Sequence, residues 1–399
     1  MTSNLVSCWS GAACLALACS ATAYGDDTRM EPILDLRLRA EQVDQAGLEN
    51  TTAVTLRGRF GFQLQFLSGW SFLAEAEAVE HLGGDFSDTV NTIGGRAVVA
   101  DPEAFELNRF QVSWAGETAN LTLGRQRIVF DDARLVGNVG FRQNEQTFDA
   151  VRVGYTGMAD IAMDYVYVGR VHRIFGDDSP MGEFESDSHI FRIGAETPAG
   201  EISASILLLD FENAPAASSQ TYSLRWSESW TFEAGTLGAT AQLALQDAYR
   251  GGGPASELGF QSVGATFTRG DITAFAGADV LEGSGGQAFS TPLATLHAFQ
   301  GWADVFLTTP GQGLRDLSFG MRGRGVNIVS GAPAANWAVV YHDFESDNGS
   351  VSFGREFDAV FRVPVNDWLA VELKGARFEG EQPAFPDRTK IWLSIEANF

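Results

Sequence analysis

Ile391-Trp392-Leu393-Ser394-Ile395-Glu396-Ala397-Asn398-Phe399 alternates without a break. Ile391, Leu393, Ile395, Ala397 and Phe399 are apolar, and Trp392, Ser394, Glu396 and Asn398 form a mostly polar register between them. A period of two puts the two sets on opposite faces of an extended chain. Such a strand either lies half-buried on a soluble core or turns its oily face to lipid. An aromatic in last place favours the second, as the closing strand of a membrane β-barrel. The rest of the sequence has to decide.

The chain has 399 residues, long enough for two or three soluble domains or for one large barrel. Hydrophobic content of 45% with a mean hydropathy of −0.05 excludes both a disordered chain and a helical membrane protein. Beyond residue 23 no apolar run reaches the roughly 18 residues of a membrane-spanning helix, so any crossing is made by strands. Residues 1–23 read as an export signal, with an apolar run at Leu15 to Ala18 before the small-residue pattern Ala21-Thr22-Ala23. No Lys or Arg precedes that run, which leaves open a weak signal or a start further upstream. Cys8, Cys14 and Cys19 all fall inside it, so residues 24–399 hold no disulfide, thiolate metal site or Cys nucleophile. The alternative, Cys19 as an acylated lipoprotein residue, is poorly matched by Ala16-Leu17-Ala18.

Net charge is 27 − 51 = −24, which argues against a nucleic-acid partner. Lys374 and Lys390 are the only lysines, so nearly every cation is Arg. A GC-rich genome explains this, and so does carboxylate recognition by planar guanidinium groups.

About eighteen segments after residue 31 have strand periodicity: 31–43, 51–67, 70–82, 104–115, 119–130, 146–156, 159–172, 188–197, 201–212, 219–230, 236–248, 257–269, 271–281, 314–325, 335–344, 350–362, 367–379 and 388–399. Connectors after even-numbered segments are tight, as at Ser68-Gly69, Gly157-Met158 and Gly270. Those after odd-numbered segments are often long: 83–103, 131–145, 173–187, 249–256 and 282–313. The connector at 325–336 is the exception. The pattern predicts an all-β, single up-and-down barrel of about eighteen strands over residues 24–399, with both termini and the short turns periplasmic. Residues 83–103 and 282–313, the longest loops, are expected to fold inward and narrow the lumen.

Faces separate within the strands. Arg57, Arg59, Gln63 and Gln65 alternate with Leu56, Phe60, Phe62 and Leu64. Arg152, Arg192, Arg225, Arg322 and Arg324 sit likewise in the polar register of their segments. An Arg facing lipid at mid-membrane costs about 2–4 kcal/mol, so these should face the lumen. Glu75, Glu77, Glu356, Asp358 and Glu372 join them there and make the lumen mixed in sign. For each arginine a cross-strand ion pair is the alternative to solute binding. No G-x-S-x-G or P-loop occurs, and the five histidines show no metal-ligand spacing. Neither an enzyme, a metal nor a cofactor is expected.

Three stretches resemble the alginate-export family of outer-membrane proteins. They are Leu123-Gly124-Arg125-Gln126-Arg127 through Asp132-x-Arg134-Leu135-Val136-Gly137, Phe141-Arg142-Gln143-Asn144 and Thr147 to Arg152; Phe299-Gln300-Gly301-Trp302-Ala303-Asp304 through Pro310; and Tyr341 to Phe344 with Phe353 to Ala359 and the closing strand. The resemblance implies an eighteen-stranded barrel whose lumenal arginines pass an anionic polyuronate outward. Arg125, Arg127, Arg134, Arg142 and Arg152 match its motif, with Asp149 as a structural partner of one of them. Phe399 resembles the tag read by barrel-assembly machinery. The expected function is an outer-membrane channel for anionic saccharides, lined by Arg59, Arg125, Arg127, Arg134, Arg142, Arg152, Arg192, Arg225 and Arg322. An uptake porin for small acids or sugars is the alternative. Its partners would be outer-membrane lipid and anionic solutes.

Overall fold

The computed structural model describes residues 28–325, 328 and 331–399. The signal segment expected over 1–23, with its three cysteines, lies outside the described residues. Eighteen strands form one closed antiparallel barrel. They are β1 Arg29–Gln45, β2 Thr51–Leu67, β3 Trp70–Asp85, β4 Ala104–Ala115, β5 Ala119–Gln126 and β6 Thr147–Met158. Next come β7 Ile161–His172, β8 Glu183–Thr197, β9 Gly200–Leu209, β10 Ser219–Phe232, β11 Gly235–Asp247 and β12 Leu258–Arg269. The last are β13 Ile272–Leu281, β14 Leu314–Arg324, β15 Asn336–Glu345, β16 Ser352–Pro364, β17 Leu369–Gly380 and β18 Arg388–Asn398. Each pairs with its sequence neighbours, and β18 pairs with β1 from Arg388↔Gln45 to Asn398↔Asp35. Closure leaves no sheet edge.

The period-two reading holds on the closing strand. Ile391, Leu393 and Ile395 are 46%, 48% and 41% exposed on the outer face, while Trp392 and Ser394 are buried inside. Leu34, Leu36, Leu38, Phe60, Leu224, Leu243, Val263, Phe319 and Leu373 extend the apolar outer wall. Trp70, Trp114, Trp226, Trp230, Trp337 and Trp368 all lie near the tight-turn end. Amphipathic rings gather there as they do at a membrane interface.

The interior differs from the expectation at the end of β5. Segment 119–130 was expected to be a single strand, but pairing stops at Gln126. Ile128 and Phe130 turn inward instead and pack with Phe148, Val166, Val168, Val171, Ile190, Leu207 and Leu209. Alternation alone does not separate a strand from an extended segment packed across one. The long loops 86–103 and 282–313 do run inward. Phe86, Ala97 and Val99 pack on Val43 and Ala53. Phe289, Ala303 and Phe306 pack on Phe260, Leu314, Phe344, Phe353, Phe378 and Trp392.

Candidate functional site: a lumen crossed by two clasped loops

Loops 127–146 and 282–313 leave different walls and meet inside the barrel. Gly137 N donates to Leu293 O at 2.8 Å, Thr295 N to Ala133 O at 3.0 Å, and Gln146 Nε2 to Leu293 O at 3.0 Å. Gly137 is needed for this approach, because a Cβ there would lie 2.2 Å from Thr295 Oγ1. Asp131, Ala133, Val139, Gln300 and Asp304 all have positive φ, which non-glycine residues adopt only at a cost. Five of the seven positive-φ non-glycine residues among the described residues thus sit in these two loops.

Asp304 ties the clasp to the wall. Its carboxylate accepts from Arg142 Nη2 at 2.7 Å, Lys390 Nζ at 2.9 Å and His297 Nδ1 at 2.6 Å. Burial works against the Asp304 anion, but His297, Lys390 and Arg142 outweigh it and hold the carboxyl well below the usual range. His297 is pushed down to about 3, chiefly by burial, so its ring is neutral at pH 7. Nδ1–H then donates to Asp304, and Nε2 accepts from Lys374 Nζ at 2.7 Å. Further anchors are backbone donors: Trp302 N to Asp358 Oδ2 at 3.1 Å and Ala303 N to Glu356 Oε1 at 2.7 Å.

On the other side, β1 grips loop 127–146. Arg37 Nε donates to Gln143 Oε1 at 2.8 Å and Nη1 to Gly140 O at 3.1 Å, and Arg39 Nη1 donates to Phe141 O at 2.7 Å. Arg37 and Arg39 were absent from the expected site. Their alternation with Leu34, Leu36 and Leu38 carries the same lumenal signal as that of Arg57 and Arg59.

Most of the expected pore arginines are ion-paired. Arg59 pairs with Glu77 and lies 3.6 Å from Glu145. Arg127 reaches Glu145 at 2.6 Å, and Arg134 reaches Asp279 and, at 2.8 Å, Gln300 Oε1. Arg142 also meets Glu41 at 3.2 Å. Arg152 pairs with Asp164 at 2.7 Å and Arg192 with Asp131 at 2.6 Å, and Arg225 stands 3.9 Å from Asp132. Arg125 and Asp149 pair at 2.8 Å, but Arg125 lies opposite Phe110 and shares its face with Leu123, both outward. That pair therefore stands on the outer wall near the long-loop rim, not in the lumen. Alternation with Leu121 and Leu123 already puts Arg125 in the outward register of β5, and the β5–β6 pairing is regular there; the lumenal expectation rested on the family motif. Among the described residues Arg322 has no carboxylate within 4.0 Å and stands over the Phe275 ring at 5.9 Å.

The clasp divides the lumen. Above it, at the long-loop end, a vestibule of about 690 Å³ is lined by Arg142, Arg173, Phe175, Phe184, Phe289, Leu296 and Phe306 among others. Below it, against β8–β14, a cavity of about 590 Å³ is lined by Thr197, Ser227, Ser229, Gly238, Thr240, Gly264, Thr266, Gly277, Ser318 and Arg322. Among the described residues no group of His, Cys, Asp and Glu has the arrangement to hold a metal ion.

No family model matches the sequence, and no curated protein matches it. Solved structures do match. Acinetobacter baumannii OccAB4 is 13% identical with a TM-score of 0.71, over 94% of this chain and 99% of that one. Pseudomonas aeruginosa OccK9 (OpdG) is 14% identical with a TM-score of 0.69, over 93% and 98%. Pseudomonas aeruginosa OpdK, solved with vanillate, is 15% identical with a TM-score of 0.67, over 92% and 99%. At these identities the likeness is one of fold. It nevertheless overturns the resemblance to the alginate-export family, since the matching structures are Occ and Opd outer-membrane porins. The reading of an exporter of polyuronate or other anionic saccharide goes with it. The motif that suggested it has a structural use: Trp302, Ala303, Asp304 and Phe306 dock loop 282–313 on the inner wall.

Proposed function

We propose that this chain is an outer-membrane channel through which small organic anions, carboxylates foremost, enter by diffusion. The observation that carries the reading is the divided lumen. A cavity lies on each side of the clasp, and each contains an arginine without a carboxylate partner among the described residues: Arg173 in the vestibule and Arg322 below. Fixed positive charge in a low-dielectric passage raises the local anion concentration. Between them Arg225 stands 3.9 Å from Asp132, a loose pair, beside a wall of serines and glycines. The fold shared with OpdK, which was solved with the aromatic carboxylate vanillate, supports the same solute class. In this reading the tight turns and both termini face the periplasm and the clasped loops face outward. The purified barrel in planar bilayers should give a reversal potential of anion sign in a KCl gradient, and Arg322→Ala should reduce it. Cation selectivity in the intact channel would sink the proposal.

A further inference from the structure

Arg173 lies one residue beyond β7, at the base of the short loop 173–182. Its guanidinium is held between two rings, 4.2 Å from the Phe184 centroid and 4.5 Å from that of Phe175. Nη1 donates to Met181 O at 3.1 Å, and among the described residues no carboxylate comes within 4.0 Å. The position is fixed in advance: Arg173 N donates to Gly182 O at 2.7 Å, and Thr89 Oγ1 donates to Phe175 O at 2.9 Å. Burial pushes the group down to about 10, so it still carries its charge at pH 7. A guanidinium has five N–H donors in a planar fork. Here most of them lack a protein acceptor, although the group is largely withdrawn from water.

The surroundings restrict what completes it. Arg142 and Asp304, also on the vestibule wall, satisfy one another at 2.7 Å. That leaves one uncompensated positive charge. Ile174, Phe289, Leu296 and Phe306 make much of the remaining lining apolar. A single carboxylate fits the fork in a bidentate pair, and an apolar body fits the wall. A second or third carboxylate on the same solute would be desolvated against apolar side chains without a partner.

We infer that Arg173 is the vestibule's carboxylate anchor and that its ligand is a monocarboxylate with an aryl or alkyl body. This rests on the channel reading above and narrows its solute class. The test is a benzoate titration of the detergent-solubilised full barrel by calorimetry, beside benzamide, succinate and citrate, together with bilayer conductance. The expected result is saturable benzoate binding that exceeds succinate and citrate by ten-fold or more, with none for benzamide. Arg173→Gln should lose ten-fold or more in benzoate affinity and Arg173→Lys should lose less, both keeping the β-rich circular dichroism of the folded barrel. Unchanged benzoate affinity in Arg173→Gln, or citrate binding as tight as benzoate, overturns the inference. Absence of conductance in the wild type would sink the channel reading instead, and the titration would still decide Arg173.

Discussion

The two sides of the lumen have the same strand grammar and opposite contents. Along β16–β18 and β1–β3 the inward register carries Glu356, Asp358, Lys374, Lys390, Arg37, Arg39, Arg57, Arg59, Glu75 and Glu77, all buried. Loops 127–146 and 282–313 cover that side and use its charges as anchors. Along β8–β14 the inward register turns to Ser, Thr and Gly, and a cavity remains. Charge on an inner wall therefore does not mark the path of a solute. Where the side chains are long and charged the wall binds its own loops, and where they are short it leaves room. An arginine is informative about transport only if nothing in the protein already neutralises it.

The comparison breaks first at Asp304. Asp304→Ala removes the closer of two buried carboxylates shared by Arg142 and Lys390, leaving Glu41 at 3.2 and 3.4 Å, and it also strands the His297 ring, so a loss of about 3 kcal/mol is expected. Urea unfolding of the refolded barrel would read it, with increased single-channel conductance as the clasp loosens. Acid attacks the same point. His297 binds its proton only near pH 3 when folded, against about 6.5 when unfolded. The folded clasp therefore holds fewer protons in that window, and its stability is complete above the upper value and falls as the pH drops through it. The expected slope is up to about 1.4 kcal/mol per pH unit. Hydrogen exchange of residues 297–304 should show it, and His297→Gln should flatten it.

Gly137→Val forces a Cβ into Thr295 Oγ1, and Gly301→Ala places one 2.6 Å from the Glu356 carboxyl at a φ of 82°. Each should cost about 1–3 kcal/mol and raise conductance noise. The smallest expected effect on stability is on the open side. Arg322→Ala should stay within about 0.5 kcal/mol of wild type and yet reduce anion selectivity. Should Arg322→Ala destabilise as much as Asp304→Ala, the two sides would not differ as described.

Period two made the barrel legible. All eighteen segments have a counterpart among the strands, and the long-short alternation of connectors follows from hairpins joined at two ends. The pairing state of the arginines was not legible. Arg142 meets Asp304 from 162 residues away and Arg134 meets Asp279 from 145 away. No local pattern encodes such partners. Alternation on β5 does place Arg125 outward with Leu121 and Leu123, and only the family motif pointed it to the lumen. The family motif misled for a related reason: Trp302 to Phe306 serve a docked loop, which constrains sequence without specifying a solute. Arg173 lies outside every strand, and only its three-dimensional isolation from carboxylates distinguishes it.

The closing strand has one more implication. Arg388 Nη1 and Lys390 Nζ on β18 hold the Ala303–Asp304 turn, at 3.1 Å from Ala303 O and 2.9 Å from the Asp304 carboxylate. Arg37 and Arg39, on the strand β18 joins, hold residues 140–143, and Arg39 Nε reaches Ser394 Oγ across the seam at 3.3 Å. The ladder that zips the cylinder shut is thus the one to which both inner loops are moored. Biogenesis then has a coupled final act: until the first and last strands meet, the plug has half a berth, and until the plug arrives, Arg37, Arg39 and Lys390 at the seam have only Glu41 and Glu396 of the same two strands to offset them.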